Sequence, residues 1–442
     1  MKITHINSAT VIIESNNVKI LCDPWFVDGE YYGSWYIYPP LEIKENYFDD
    51  IDYIYLSHIH PDHFSRQSFL KLNKNIPVLI HSYASPFLKM NVERIGFEVI
   101  ELEHNKKTLL KSDVSINILA ADNCNPELCS KFMGCGIVET KFKSTQIDSL
   151  CVISDKNFSI LNTNDCPYDL AEEAINVILN QYKKIDFLLV GYGGAGPYPQ
   201  CFDLSDDERV EAEKSKRLHF LSQAKKYIDL IKPNFYMPFA GTYILAGNLY
   251  ALDKRKAVPE MTDARDFFSQ SANNQSKCIL LNSKSYFDLK TEKQSKEYVP
   301  IDLNKKDHYR KSVLSEKKLD YEHDNFPSID QIKELVEPSF LRMDKKRQEI
   351  DFCSDTIVYI KIDNKNFIQL SLNGSGYEIV NSIAKDCNYV IFNLDLRLLF
   401  KILKGPKYAH WNNAEIGSHI QYKRSPNIFE RGLYHSMCFF HS

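Results

Sequence analysis

Three histidines and one aspartate fall within six consecutive residues, His58-Ile59-His60-Pro61-Asp62-His63. Neutral imidazole nitrogens and carboxylate oxygens are the groups that hold divalent ions in hydrolytic metal centres. Alternate side chains share one face of a strand, so His58 and His60 can contact one ion while Asp62 and His63 turn toward a second. A histidine-rich polar turn is the alternative interpretation, but this order of residues favours a metal site.

The elements around the motif must bring these side chains to one edge of a sheet. Short β-branched segments at 2–6, 9–15 and 18–22 predict a β-meander, and the apolar run 51–56 predicts the strand that carries the histidines. An aromatic loop between Tyr31 and Tyr38 precedes that strand. Such a loop is placed to overhang a pocket.

After the motif, helical and strand patterns alternate along the chain. Helices are predicted at 85–95, 169–182 and 205–230, and strands at 77–80, 97–102, 114–120, 150–161 (as two strands), 185–190, 235–238, 278–282 and 285–289. This alternation, with antiparallel hairpins mixed in, predicts sheets covered by helices.

The pattern changes twice toward the C-terminus, which predicts two domains in a chain of 442 residues. We place a first domain at 1–290, a charged, solvated connector at 291–327, and a smaller α+β domain at 328–442. Ser328 is suited to cap the first helix of the smaller domain, and strands are predicted at 356–362 and 367–372.

Composition limits the classes of partner and compartment. A formal net charge of −4 offers no broad basic field, so we do not expect a nucleic-acid partner. The N-terminus shows no secretory pattern, and no apolar run reaches the ~20 residues that span a bilayer, so we expect a cytoplasmic protein without a membrane partner. A homo-oligomer remains an open alternative.

Eleven cysteines, an odd number scattered along the chain, predict reduced thiols rather than a disulfide framework. Cys124, Cys129 and Cys135 form one local cluster, but their spacing is wider than that of a zinc knuckle and no paired histidines follow. We expect buried thiols there, with a second metal site as the alternative.

The hexapeptide at the end of a strand resembles the signature of the metallo-β-lactamase superfamily. The resemblance covers about two thirds of the chain and is closest in pattern to ascorbate-6-phosphate lactonases and to the metal-binding part of CMP-N-acetylneuraminate hydroxylases. It implies an α/β fold, an αββα sandwich. The smaller C-terminal α+β domain is similar in diffuse features to a sterol-carrier-like domain.

The resemblance also implies site residues. His58, His60, Asp62 and His63 would be metal ligands, Asp165 would bridge two ions, and Asp23 would support the site from behind. Asp62 and Asp165 would act in catalysis. Taken alone, Asp165 would be interpreted as a turn or helix-capping carboxylate before Pro167, and for Asp23 the alternative is a turn residue before Pro24.

Two departures from the family pattern bear on the metal. No histidine follows the strand at 114–120, where Ala121-Asp122-Asn123 stands and Asp122 would substitute as an oxygen ligand. Pro238-Phe239-Ala240-Gly241 also lacks the histidine that the family places late in the domain. We therefore expect one or two divalent ions, zinc first, with manganese or iron as alternatives because carboxylates suit harder ions.

The segment Gly191 to Pro199 is dense in glycine but has the order of neither a P-loop nor a dinucleotide fingerprint. It resembles the pocket wall of the hydroxylase branch, which implies substrate-binding roles for Gly194 and Tyr198, with Phe239 as companion. Plain tight turns are the alternative.

These observations predict a metal-dependent hydrolase that uses metal-activated water on a small-molecule phosphoester, lactone or amide, with an anionic sugar or nucleotide suggested by analogy alone. A metal-supported hydroxylase component is the second hypothesis, although hydroxylases of this type carry an iron-sulfur module whose set of Cys and His ligand pairs this chain lacks. A catalytically weakened binding or assembly protein is the third.

Overall fold

The computed structural model describes residues 1–83, 85–120, 148–270, 275–384 and 386–442. Its first 300 residues build two large sheets and a two-stranded ribbon. The strands, in chain order, are β1 (Lys2–Asn7), β2 (Thr10–Ser15), β3 (Val18–Cys22), β4 (Trp35–Tyr36), β5 (Tyr53–Tyr55), β6 (Val78–His81), β7 (Val99–Leu102), β8 (Thr108–Leu109), β9 (Ser115–Ala120), β10 (Ser149–Ser154), β11 (Ser159–Asn162), β12 (Phe187–Gly191), β13 (Phe235–Phe239), β14 (Ile244–Leu245), β15 (Lys277–Cys278), β16 (Tyr286–Asp288) and β17 (Lys293–Gln294).

Helices accompany these strands and continue into the C-terminal part. They are α1 (Glu30–Gly33), α2 (Arg66–Phe69), α3 (Phe87–Glu93), α4 (Tyr168–Gln181), α5 (Asp206–Ile231), α6 (Met261–Ser269), α7 (Leu303–Ser312), α8 (Ile329–Glu349), α9 (Leu396–Leu403), α10 (Trp411–Ile416) and α11 (Arg431–Met437), with 3₁₀ turns at Gly247–Arg255, Leu314–Glu316 and Asp320–His323. Among the residues described, no helix combines the length and apolar run needed to cross a bilayer.

The first sheet has the order β17-β16-β1-β2-β3-β5-β6-β7, and the second has the order β15-β13-β12-β11-β10-β9-β8. Strands β3, β5, β6 and β7 are parallel to one another, as are β11, β12, β13 and β15, while the meander β1-β2-β3 and the hairpin β9-β10-β11 are antiparallel. The alternating patterns in the sequence thus correspond to mixed sheets.

The main core lies between the two sheets. It joins residues of the first sheet, such as Val11 and Ile20, to residues of the second, such as Ile116 and Val152. A second cluster packs Phe69 of α2 and Leu88 and Val92 of α3 on the outer face of the first sheet. Helices α4 and α5 cover the second sheet through residues that include Ile175 and Ile228. The fold is therefore the expected αββα sandwich, built by burying one apolar face of each layer.

The C-terminal part has its own five-stranded sheet of order β20-β19-β18-β21-β22. Its strands are β18 (Ile357–Lys361), β19 (Phe367–Ser371), β20 (Tyr377–Val380), β21 (Tyr389–Asn393) and β22 (Gln421–Ser425). Helix α8, capped by Ser328, buries Val336 and Met343 against Val358 and Leu398. This is the smaller α+β unit that the sequence predicted.

The C-terminal sheet also contacts the first part of the chain directly. Tyr422 of β22 exchanges main-chain hydrogen bonds of 2.8 Å with Cys201 and Asp203, and its ring stacks on Phe202 at 4.5 Å. The segment 291–327, expected to be a solvated connector, contains α7 and buries Leu314, Leu319 and Tyr321. The exact domain limits at 290 and 328 stay a prediction, as does the sterol-carrier likeness.

Candidate metal centre

The histidine motif follows the end of a central strand, β5. Strand β5 lies between the parallel strands β3 and β6, and the chain leaves it through Leu56 and Ser57, both buried, into His58. The segment then turns, with the main-chain nitrogens of His63 and Phe64 both donating to the carbonyl of His60, at 2.9 and 2.7 Å. This turn folds His63 back toward His58, with their ring centroids 4.1 Å apart.

A first ligand set consists of His58, His60 and Asp148, whose donor atoms all lie within 4.8 Å of one another. His58 Nε2 is 2.9 Å from His60 Nδ1 and 3.5 Å from Asp148 Oδ1. Asp148 immediately precedes β10, so its carboxylate comes from the second sheet while the histidines come from the first. The set therefore depends on the two sheets packing together.

A second ligand set consists of His58, His63 and Asp165, again with donor atoms within 4.8 Å. Asp165 follows β11, and its Oδ2 lies 3.3 Å from His63 Nε2. Asp62 Oδ2 lies 3.7 Å from the same nitrogen. Because one nitrogen donates one lone pair, His58 Nε2 can serve one ion at a time. Occupancy by two ions would assign His58, His60 and Asp148 to the first, and Asp62, His63 and Asp165 to the second.

Asp23 fixes the orientation of His63 from behind. His63 Nδ1–H donates to Asp23 Oδ2 at 2.7 Å, and the other hydrogen bonds of that carboxylate come from the Ser57 main-chain nitrogen and hydroxyl, at 2.8 and 2.6 Å. Both His63 and Asp23 are fully buried. A carboxylate behind a histidine is the arrangement that sets the tautomer of a metal ligand.

His63 Nε2 supplies a direct test of whether the site fits a metal. Among the described residues this buried atom makes no hydrogen bond of good geometry, and its polar neighbours are Asp165 Oδ2 at 3.3 Å and Asp62 Oδ2 at 3.7 Å. Buried polar atoms are almost always satisfied, and an imidazole nitrogen that faces two carboxylate oxygens matches a metal-coordination position. The donor set fits a divalent metal.

Burial and neighbouring charges shift the pKa values of these groups in both directions. Burial, aided by the neighbouring His63, lowers the pKa of His58 to about 4, and burial raises the pKa of Asp148 to about 7. Burial acts to raise the pKa of Asp165 too, but the surrounding imidazoles, His63 first, hold it well below its usual range. Burial acts to lower the pKa of His63, but the surrounding carboxylates, Asp165 first, raise it well above its usual range, so these carboxylates attract positive charge to this point.

Tyr31 adds a contact from the aromatic loop. Its hydroxyl donates a hydrogen bond of 2.6 Å to Asp62 Oδ1, which leaves Oδ2 facing His63. Tyr31 is buried, and its ring packs on Trp35 at 4.4 Å. The loop that the sequence placed over a pocket thus orients a candidate ligand.

The structure brings six residues expected from the sequence into one site: His58, His60, Asp62, His63, Asp165 and Asp23. The assignment of their roles stays a prediction. Asp122, expected as a substitute ligand, and the cysteine cluster at 124–135 lie outside the described residues. Asp148, which sequence reasoning missed, directly precedes β10 and joins His58 and His60. Its one signal was a charged residue directly before a fully buried strand.

The three residues expected to bind substrate lie in different surroundings. Phe239 ends β13 and is buried. Gly194 lies against the ring of Phe220, so closely that a Cβ there would fall 1.8 Å from Phe220 Cζ. Tyr198 lines a cleft shared with the C-terminal sheet. Their substrate-binding roles stay predictions.

Comparison with known proteins agrees with this geometry. Residues 2–119 match the family model described as beta-lactamase superfamily domain. This match agrees with the resemblance to the metallo-β-lactamase superfamily that the hexapeptide indicated.

Two relatives match over a longer region. A putative Rieske 2Fe-2S iron-sulfur protein of Mycolicibacterium smegmatis is 28% identical over 280 residues, covering 62% of this chain and 48% of the relative. The cytidine monophosphate-N-acetylneuraminic acid hydroxylase of Gorilla gorilla gorilla is 21% identical over 255 residues, covering 55% of this chain and 38% of the relative. The chain spans less than half the length of these relatives.

Among solved structures, the isothiocyanate hydrolase from Delia radicum gut bacteria is similar, with 12% identity, a TM-score of 0.46, and coverage of 65% of this chain and 99% of that one. The expected resemblance to the sialic-acid-nucleotide hydroxylases is confirmed by the sequence comparison.

Proposed function

We propose that this chain is a metal-dependent hydrolase in which the described centre activates a water molecule. One observation carries the proposal: three imidazoles and three carboxylates from three separate segments converge, and the buried Nε2 of His63 faces two of these carboxylates, Asp62 and Asp165. A bound divalent ion would supply Lewis acidity, lowering the pKa of bound water toward neutrality and polarising the scissile group.

The exposure of their side chains distinguishes the roles of Asp62 and Asp165. The side chain of Asp62 is 6% exposed and has one oxygen engaged by Tyr31, so it is suited to a fixed ligand. The side chain of Asp165 is 32% exposed and is free to face both ion and solvent. Asp165 is therefore suited to bind the second ion through one oxygen and to accept a proton from the attacking water through its exposed oxygen.

The charge of the centre supports a small anionic substrate. Two divalent ions would balance the charges of Asp23, Asp62, Asp148 and Asp165, because the histidine ligands bind as neutral groups. An open coordination position on such an ion would favour phosphoesters, and lactones or amides that carry an anionic group elsewhere. The proposal includes the sugar or nucleotide class only by analogy with the hydroxylase relative.

Metal content and activity, measured together on four proteins, test the proposal. We expect wild type to bind one or two ions and to cleave at least one of 4-nitrophenyl phosphate, bis(4-nitrophenyl) phosphate, a γ-lactone or an anilide. Asp165→Ala and Asp148→Ala should each lose metal and fall at least ~100-fold in rate, since ligand and proton acceptor are removed. Asp113→Ala, an exposed carboxylate paired with Lys156, is the matched control. Full metal content and rate in Asp165→Ala would refute the assigned role.

A second candidate function is oxidation supported by non-haem iron. His58, His60 and Asp148 form a two-histidine, one-carboxylate set, which is typical of iron oxygenases, and two relatives are named as an iron-sulfur protein and a hydroxylase. In the balanced reaction a substrate C–H becomes C–OH and one oxygen atom of O₂ leaves as water. Two electrons and two protons come from an external donor.

Metal replacement distinguishes the two candidates. Apoprotein would be loaded anaerobically with zinc or with ferrous iron, then assayed for hydrolysis and, with ascorbate as reductant, for oxygen uptake. A hydrolase should turn over with zinc, while an oxygenase should consume oxygen only with iron. Hydrolysis by the zinc form, with no oxygen uptake by the iron form, would exclude the oxygenase. Oxygen uptake by the iron form, with no hydrolysis by either form, would exclude the hydrolase.

A further inference from the structure

A cleft of about 760 Å³ lies where the first part of the chain faces the C-terminal unit. One wall is the glycine-rich segment Ala195–Tyr198 with Phe202, and the other comes from α10, β22 and α11. The volume is within the range of small-molecule sites, and such sites form preferentially between domains. None of the assigned metal ligands lines this cleft.

Arg424 of β22 presents its charge to this cleft without an ion pair. Its Nε donates to Asn427 Oδ1 at 2.8 Å and its Nη1 donates to the Tyr434 hydroxyl at 3.1 Å. The guanidinium lies over the ring of Phe202, 4.6 Å from the centroid. In the described part of the chain no carboxylate lies within ion-pair distance of it. Neutral partners hold the plane of the group while its charge stays available.

The rest of the lining does not neutralise that charge. Glu415 is the acidic residue of the lining, and burial raises its pKa to about 8, while Tyr422 donates to it at 2.9 Å. Glu415 therefore carries a proton near neutral pH. The cleft has a positive interior, and a planar guanidinium suits a carboxylate, sulfonate or phosphonate group.

Aromatic rings complete the lining. Phe429 is 59% exposed although it stacks on Tyr434 at 4.9 Å with an interplanar angle of 25°. Tyr198 faces the same space from the opposite wall. Phe429 and Arg424 both contact Tyr434, so an exposed ring and a fixed guanidinium line the same wall of the cleft, and the ring offers a stacking surface for a planar group. We propose that this cleft is a binding site for a planar aromatic anion, with the acid group on Arg424 and the ring against Phe429.

Four probes of graded chemistry test the site by calorimetric titration of the full chain. They are 1-naphthoate, 1-naphthylphosphonate, the neutral 1-naphthalenemethanol, and inorganic phosphate. We expect saturable binding of one or both naphthyl acids, at least about tenfold tighter than the neutral alcohol, because a charged hydrogen bond adds that much discrimination. The two acids separate a carboxylate from a phosphate preference, and inorganic phosphate tests whether the ring is needed.

Variants locate the binding. Arg424→Gln should weaken the naphthyl acids at least about tenfold and leave the alcohol unchanged. Phe429→Ala, at an exposed position, should weaken every naphthyl probe and keeps the test valid if Arg424→Gln unfolds. Lys423→Gln is the matched control, since Lys423 is the next cation on the strand and pairs with Asp203. Equal affinity for acids and alcohol, or unchanged binding in both variants, would overturn the proposal.

Chelation separates this site from the metal centre. Naphthyl acids are themselves metal ligands, so the titration is repeated after treatment with EDTA. We expect the affinity to persist within about twofold. If EDTA abolishes binding, the acids were bound by the metal, and the proposal fails while the proposed hydrolase function stands.

Discussion

The main-chain carbonyl of Tyr31 accepts a hydrogen bond of 2.7 Å from Nε2–H of His419, across a sequence separation of 388 residues. The other ring nitrogen of His419 accepts from the Tyr321 hydroxyl at 3.1 Å. Tyr31 and Tyr32 both have left-handed main-chain conformations, with φ of 50° and 59°. Such conformations cost about 1 kcal/mol or more each and persist only where contacts enforce them. The C-terminal unit thus holds the loop that contacts Asp62.

Removing one hydroxyl tests that connection. Tyr31→Phe should lower metal affinity about tenfold without unfolding the protein, because Asp62 loses the donor that orients it. A chelator competition titration measures the change.

Tyr32→Phe is the matched control, since its hydroxyl contacts the main chain of His410 rather than a candidate ligand. The same loss of affinity in both variants would show that the loop, and not the hydrogen bond to Asp62, is responsible.

Asp23→Asn should weaken metal binding by about 10- to 100-fold while leaving the ligand set complete, because the amide cannot hold His63 in the same charged hydrogen-bond pattern. Equilibrium dialysis at fixed free zinc measures it. Asp113→Asn, at an exposed ion pair, provides the comparison. An affinity equal to wild type in Asp23→Asn would contradict the supporting role of Asp23.

Acid should destabilise the fold partly through His419. Burial lowers its pKa to about 4 from a usual 6.5. Below pH 6.5, His419 binds a proton in the unfolded chain but stays neutral in the folded protein. The free energy of unfolding therefore falls as the pH drops from 6.5 to 4. The slope reaches about 1.4 kcal/mol per pH unit for one group.

Urea unfolding of wild type and His419→Gln at several pH values measures this contribution. The variant should show a shallower loss of stability between pH 6.5 and 4. His219→Gln, at an exposed position on α5, should leave the slope unchanged. Parallel curves for wild type and His419→Gln would show that His419 does not contribute.

Gly191→Ala should disrupt the metal centre from a distance. A Cβ at Gly191 would lie 2.6 Å from the carbonyl oxygen of Asn164, directly before Asp165. Moving that carbonyl displaces Asp165, so we expect a loss of about 1–3 kcal/mol in stability and a loss of bound metal.

Gly96→Ala is the control, because a Cβ there meets nothing within 4 Å and the cost is confined to its left-handed φ of 91°. It should lose stability and keep its metal. Metal content preserved in Gly191→Ala would show that the loop accommodates the methyl group.

Much of the secondary structure could be predicted from the sequence because it depends on local patterns of apolar and polar residues. Strand β3 was predicted at its observed limits, and α4 and α5 within one residue at each end. The closing strands were less clear: 278–282 was expected as one strand, yet β15 spans only Lys277–Cys278. A short apolar run at a sheet edge carries too little periodicity to fix its limits.

The residues of the candidate site also differ in whether the sequence could identify them. His58, His60 and His63 could be chosen from sequence because six consecutive residues contain them and the strand before them is apolar. Asp148 could not, since its partners are about 90 residues away and only the packing of β10 beside β9 and against the first sheet places its carboxylate near His60. A lone aspartate before a strand has no local signature.

The sequence alone therefore determined the kind of chemistry, because metal ligands clustered in one short motif reveal themselves by residue type and spacing. Tertiary structure decided which carboxylates join that motif, how His63 is oriented by Asp23, and how His419 reaches Tyr31. Those relationships come from sheet-on-sheet and unit-on-unit packing, where distance in space is independent of distance along the chain.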